Sequence, residues 1–334
     1  MHNSWQIPSK SIRYNMGKHG FSILICAAFI SMLMLSTFVQ AESKNGFELS
    51  QASISSDQIF QGGPPRDGIP AINEPKFIAA NQASFLKDHD RILGLALGNE
   101  IKAYPVNIMN WHEIVNDKTA GKNIAITFCP LCGTGMAFDT QIDGLELVLG
   151  VSGLLYQSDV LLYDRQTESL WSQIMSEAIS GPMKGKKLKQ LNLEHTSWKD
   201  WLKRYPKTKV LSPKTTFMRD YSRNPYAGYA SSKTLYFDVK HTAPSIFHPK
   251  EQVLGITLDG QFKAYPFTEL SKNNMRTFED TFAGTSLKVH WNEQARSAYI
   301  TNNKGDRLVS TTAFWFAWFT FHPDTLMYKT EVVE

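Results

Sequence analysis

Leu93-Gly94-Leu95-Ala96-Leu97-Gly98-Asn99-Glu100-Ile101-Lys102-Ala103-Tyr104-Pro105 returns later in the chain as Leu254-Gly255-Ile256-Thr257-Leu258-Asp259-Gly260-Gln261-Phe262-Lys263-Ala264-Tyr265-Pro266. Each copy reads as a hairpin: an apolar run, a Gly-Asn or Asp-Gly turn, then a second strand ending at proline. The match continues in the same order. Asp117-Lys118-Thr119-Ala120-Gly121 and a strand expected over 124–128 correspond to Asp280-Thr281-Phe282-Ala283-Gly284 and a strand over 287–291. Trp198-Lys199-Asp200-Trp201 corresponds to Trp315-Phe316-Ala317-Trp318, with the tryptophans at i and i+3 on one face of a short helix, a core-packing pattern. Two copies are too few for a solenoid. The expectation is a strand-rich α+β fold with short helices, made of two related lobes from an internal duplication.

Around that repeat the chain divides into four. Residues 42–90 form an irregular lead-in rich in turn residues, of which Gln61-Gly62-Gly63-Pro64-Pro65 is representative. Residues 91–250 hold copy 1 with an insertion at about 150–190, and residues 251–334 hold copy 2. The first 41 residues are of another kind. An uncharged apolar run over 21–38 follows Arg13 and Lys18 and ends in Val39-Gln40-Ala41. A basic start, an apolar middle and small residues at the end make a secretory signal, or an N-terminal membrane anchor if it is retained. Either form places residues 42–334 outside the cytoplasm, in the periplasm, with the membrane touched only through this segment.

The 334 residues carry 35 basic and 31 acidic side chains. Three of the basic ones precede residue 42, so the remainder is nearly neutral and offers no basic face for nucleic acid. Phosphate-binding loops, nucleophile elbows and dinucleotide fingerprints are absent, which removes nucleotide cofactors.

Beyond residue 41 the chain keeps two cysteines, in Cys129-Pro130-Leu131-Cys132-Gly133-Thr134-Gly135. The glycines disfavour the helix start that follows a thioredoxin-type pair, and Gly133 stands where c-type haem attachment needs histidine. The stretch reads as a knuckle turn whose backbone N–H groups face the sulfurs and stabilise thiolate. Copy 2 has Asn292 and Ala295 at the cysteine positions and Asn273 at that of His112. Cys129, Cys132 and His112 thus belong to copy 1 alone, and the shape of the repeat demands none of them. Three readings follow. In the leading one, Cys129 is a redox nucleophile, Cys132 the resolving thiol and His112 the group that tunes the thiolate. In the second, the same three residues bind zinc or copper, with Met136 or His248 completing the set. In the third, the cysteines form only a short structural disulfide, and a groove binds a small molecule or an envelope protein. For that groove the candidates are Tyr156, Trp171, Tyr221 and Tyr226 with Asp159, Asp164, Arg165 and Arg219, which offer flat apolar faces and charged groups. The same charged residues also suit a plain ion-pair network.

Ala103-Tyr104-Pro105, Asn110-Trp111-His112-Glu113, the cysteine turn, Gly150-Val151-Ser152-Gly153-Leu154-Leu155, Tyr163-Asp164-Arg165 and Arg219-Asp220-Tyr221 occur together. In this combination the chain resembles a bacterial family known as domain of unknown function 3179. That family has no assigned activity, so the resemblance implies no chemistry beyond what the residues themselves suggest.

Overall fold

The computed structural model describes residues 42–272 and 275–330. The signal or anchor expected over 1–41, and Asn273, lie outside the described residues. Among those described, no helix is long and apolar enough to cross a membrane.

The fold is mostly β, with 41% strand and 11% helix, and its five small sheets are arranged as a five-bladed β-propeller. This corrects the expected α+β fold with two lobes. None of the α-helices described, such as Val106–His112 and Trp315–Phe321, exceeds seven residues. At two turns or fewer they cap sheet edges and cannot form a layer of their own.

The duplicated hairpins do form duplicated sheets. Arg91–Leu97 pairs with Glu100–Pro105, flanked by Glu194–Ser197 and by a parallel strand, Lys209–Leu211. Gln252–Leu258 pairs with Gln261–Pro266, flanked in the same way by Ser310–Phe314 and the parallel Leu326–Met327. Each hairpin sheet is followed by an antiparallel meander. One is Ile114–Thr119, Lys122–Cys129 and Thr134–Asp139; the other is Thr277–Phe282, Thr285–Asn292 and Ser297–Asn302.

Two details show why these sequences take this shape. A Cβ on Gly94 would fall 2.4 Å from the Trp201 ring, and one on Gly255 would fall 2.2 Å from that of Trp318. Only glycine lets the helix tryptophan lie against the strand. Each indole N–H then donates to a threonine, Thr208 or Thr325, that opens the parallel strand. Lys102 and Tyr104 both bond the Asp117 carboxylate, and Lys263 and Tyr265 repeat this on Asp280, tying hairpin to meander in each copy.

The copies do not separate into lobes because the insertion builds a fifth sheet that shares their core. Leu149–Tyr156 and Asp159–Asp164 form its centre, with Leu170–Ser172 beside them and Ile59–Gln61 of the lead-in at one edge. Val151, Val160 and Leu162 of this sheet pack with Cys129, Met136 and Phe138 of copy 1 and with Phe314 and Phe316 of copy 2. The cysteine turn therefore sits where three sheets meet.

Candidate functional site

Strands Lys122–Cys129 and Thr134–Asp139 are joined by a tight loop in which Cys129 pairs with Thr134. Gly133 has φ +61, a left-handed conformation that lets the loop turn back beneath Cys132. The backbone N–H of Phe314 donates to the Cys132 carbonyl at 2.8 Å and pins the loop from the copy 2 side. Both sulfurs are buried, at 1% and 0% residue exposure, and they are not bridged.

A second turn faces the first. Gln157 and Ser158 join the two central strands of the insertion sheet with φ +54 and +63. Two successive left-handed residues suit Asn-Gly; side chains such as Gln and Ser cost about 1 kcal/mol each there. The turn is held by its surroundings. Gln157 Oε1 accepts from the Lys240 amide at 2.5 Å and the Thr320 hydroxyl at 3.0 Å, and the Ser158 hydroxyl donates to the Phe237 carbonyl at 2.8 Å. This strain aims the Ser158 carbonyl at the thiols, 3.2 Å from Cys132 Sγ and 3.8 Å from Cys129 Sγ.

The next residue is Asp159. One of its carboxylate oxygens accepts from the Ile174 amide at 3.0 Å; the other is buried with no nitrogen or hydroxyl partner among the described residues, and the neighbouring thiols act on the carboxyl instead. The Cys129 and Cys132 sulfurs and an Asp159 oxygen all lie within 4.8 Å of one another. Burial pushes the Asp159 carboxyl up to about 7, and pushes both thiols up from their ordinary range, Cys132 furthest. Glu113, just past the helix Val106–His112 in a left-handed conformation, is also raised by burial to about 7, and accepts a hydrogen bond from the Tyr226 hydroxyl at 3.2 Å. The charged groups that act on these four are one another; no lysine or arginine is among the causes of their shifts. A cavity of about 370 Å³ opens beside them, lined by Glu113, Cys129, Leu131, Val160, Tyr226 and Phe237. Four acidic groups without a cation in an apolar setting stay protonated or take up a metal ion.

Of the residues singled out from the sequence, the structure brings together Cys129, Cys132 and Asp159. His112 points elsewhere. Its Nδ1 lies 2.7 Å from the Pro70 carbonyl and its Nε2 2.7 Å from the Tyr221 hydroxyl, which also bonds Thr215. Asp164 lies at the far end of its strand and accepts from Thr167 and the Trp171 indole. Arg165 pairs with Asp67, and Arg219 is exposed over the Trp111 ring. Tyr156 packs edge-on against Phe321, so of the four aromatics only Tyr226 lines the cavity.

Sequence reasoning missed Glu113, Gln157 and Ser158. Glu113 was visible as an acid between a short helix and the apolar pair Ile114-Val115, where burial is expected. Gln157-Ser158 was visible as the only polar pair between two apolar runs of the insertion.

A family model described as "Protein of unknown function (DUF3179)" matches residues 66–325. No curated protein and no solved structure matches the chain.

Proposed function

The chain belongs to the DUF3179 family, and we propose that its site is a transition-metal centre in which Cys129, Cys132 and Asp159 hold a divalent ion, zinc first. The observation that carries this reading is the Asp159 carboxyl buried within 4.8 Å of two buried thiols, with no lysine or arginine paired to it among the described residues. Metal binding would draw the protons off both thiols and the carboxyl, which removes the cost of burying them. Two thiolates and one carboxylate suit zinc and leave a fourth position, the arrangement of catalytic zinc sites. The carboxylate makes Cu(I), which prefers soft ligands, the poorer match. Cys129 and Glu113 both line the cavity, where Glu113 would be able to hold or release a proton beside the centre. The ligand set is thus Cys129, Cys132 and Asp159 in place of the Cys129, Cys132 and His112 read from the sequence. The placement outside the cytoplasm rests on residues 1–41 alone.

Purification under reducing conditions followed by metal analysis tests this. About one zinc per chain is expected, falling below about a tenth in Asp159→Asn and Cys129→Ala. Metal-free wild-type protein, or an Asp159→Asn variant that keeps its zinc, would overturn the reading.

Thiol–disulfide exchange has support of its own. Asp159, titrating near neutrality beside Cys132, suits a proton acceptor for a buried thiol. In that chemistry the two thiols lose two electrons and two protons to a partner disulfide, which becomes a dithiol. A dithiothreitol redox series separates the readings: metal-free protein with a reversible transition above about −300 mV favours exchange. The groove reading has no such support, because its residues do not converge.

A further inference from the structure

On the other side of the cysteine loop lies a second cavity, of about 300 Å³, sharing Pro130 and Tyr226 with the first. Its charged lining residues are Arg91 and Lys250, and no aspartate or glutamate lines it. Lys250 is buried at 4% exposure, and its amino group donates to the Ser232 and Thr234 carbonyls at 2.6 and 2.7 Å and lies 3.6 Å from the Tyr229 ring centroid. The Arg91 guanidinium is likewise held by backbone carbonyls, those of Ala295 and Arg296. Among the described residues neither cation has an ion-pair partner. The acids that act on Arg91 through space, Glu194 and Asp200, are taken by Arg204, and Glu194 also by Arg307. Lys250 is buried and Arg91 half-buried, and two cations without a counter-charge around one cavity favour an anion there.

We infer that this cavity binds the carboxylate or phosphate end of a small molecule, with Arg91 and Lys250 supplying the positive field. The volume suits a compact ligand. The register of the repeat bears on the site: Arg91 and Gln252 begin equivalent strands of the two copies, and both line it. The cavity thus straddles the relation between the copies, and copy 1 alone supplies the arginine. His195, on the same lining, is kept neutral by burial and accepts the Gly135 amide at 3.0 Å. This inference does not rest on the metal reading.

Calorimetric titration of the protein with inorganic phosphate, with acetate and with neutral acetamide tests it, at low ionic strength. Saturable binding of phosphate or acetate, and none of acetamide, is expected; whichever anion binds identifies the ligand end. Gln252→Glu, at a half-buried position, places a negative charge in the lining without removing a structural cation and is expected to weaken binding at least tenfold. Arg91→Gln is expected to do the same where it folds. Wild-type protein freed of metal with a chelator is expected to bind as the untreated protein does, which separates this site from an anion on the metal. Absence of saturable anion binding, equal binding of acetamide, unchanged affinity in Gln252→Glu, or loss of binding in the chelator-treated protein would each overturn the inference.

Discussion

The carbonyl oxygen of Ser158 lies 3.2 Å from the sulfur of Cys132, at the meeting of two turns from different sheets. Neither turn would hold the other's chemistry alone. The cysteine loop supplies two soft donors, and the strained insertion turn brings a carbonyl and, one residue later, the Asp159 carboxyl.

Acid titration gives the first prediction. Asp159 has an ordinary value of 3.8 in an unfolded chain and about 7 in the fold. The folded state therefore holds its proton more tightly, and metal-free stability falls as pH rises from about 4 to 7, with the loss complete above that. Three units correspond to a contribution on the order of 4 kcal/mol. Asp159→Asn removes this part of the slope, leaving that of Glu113, which is raised in the same direction. Urea unfolding with a chelator at pH 4.5 and 7.5 measures it; equal slopes in variant and wild type would refute the assignment.

His112 separates a ligand from a structural residue. The Pro70 carbonyl can only accept, so Nδ1 carries the proton, and Nε2 accepts from Tyr221. Burial lowers the pKa of this imidazole, in keeping with its neutral form. His112→Ala leaves the Pro70 carbonyl unpaired, takes one of two partners from the Tyr221 hydroxyl and opens a cavity, and is expected to cost about 2–4 kcal/mol in denaturant unfolding. Its metal content is expected to equal that of the wild type. Loss of metal with stability intact would make His112 a ligand after all.

Gly94→Ala and Gly255→Ala test the duplicated lock. The added methyl group collides with a tryptophan ring in either copy, and each variant is expected to lose about 2–3 kcal/mol. Denaturation midpoints of the two single variants check this, and a neutral outcome in either would show that its tryptophan can move aside.

The repeat was legible because its hairpins carry turn residues at fixed places and its tryptophans recur at helical spacing. The propeller was not. Leu149–Tyr156 and Asp159–Asp164 are buried almost throughout, so they lack the alternation that marks a strand with one wet face. Asp159 was noted from the sequence beside Asp164 and Arg165, as though the three shared a wall. Side chains alternate along a strand, so residues five apart face opposite ways. That parity already divides Asp159, which meets the thiols, from Asp164, which meets Trp171. The contact with Cys132 was hidden because it joins turns in two different sheets.

The amide of Phe314 that holds Cys132 and the hydroxyl of Thr320 that holds Gln157 have a consequence for the order of assembly. A ribosome releases residues 129 and 132 long before residues 314 and 320. Until that stretch arrives, the contacts from Phe314 and Thr320 are missing. Copy 2 carries no cysteine, yet its strand Ser310–Phe314 and helix Trp315–Phe321 pack against the site. A chain interrupted before residue 314 would lack both the amide that pins the cysteine loop and the hydroxyl that holds the facing turn, so the centre is completed only by the last segments of the chain.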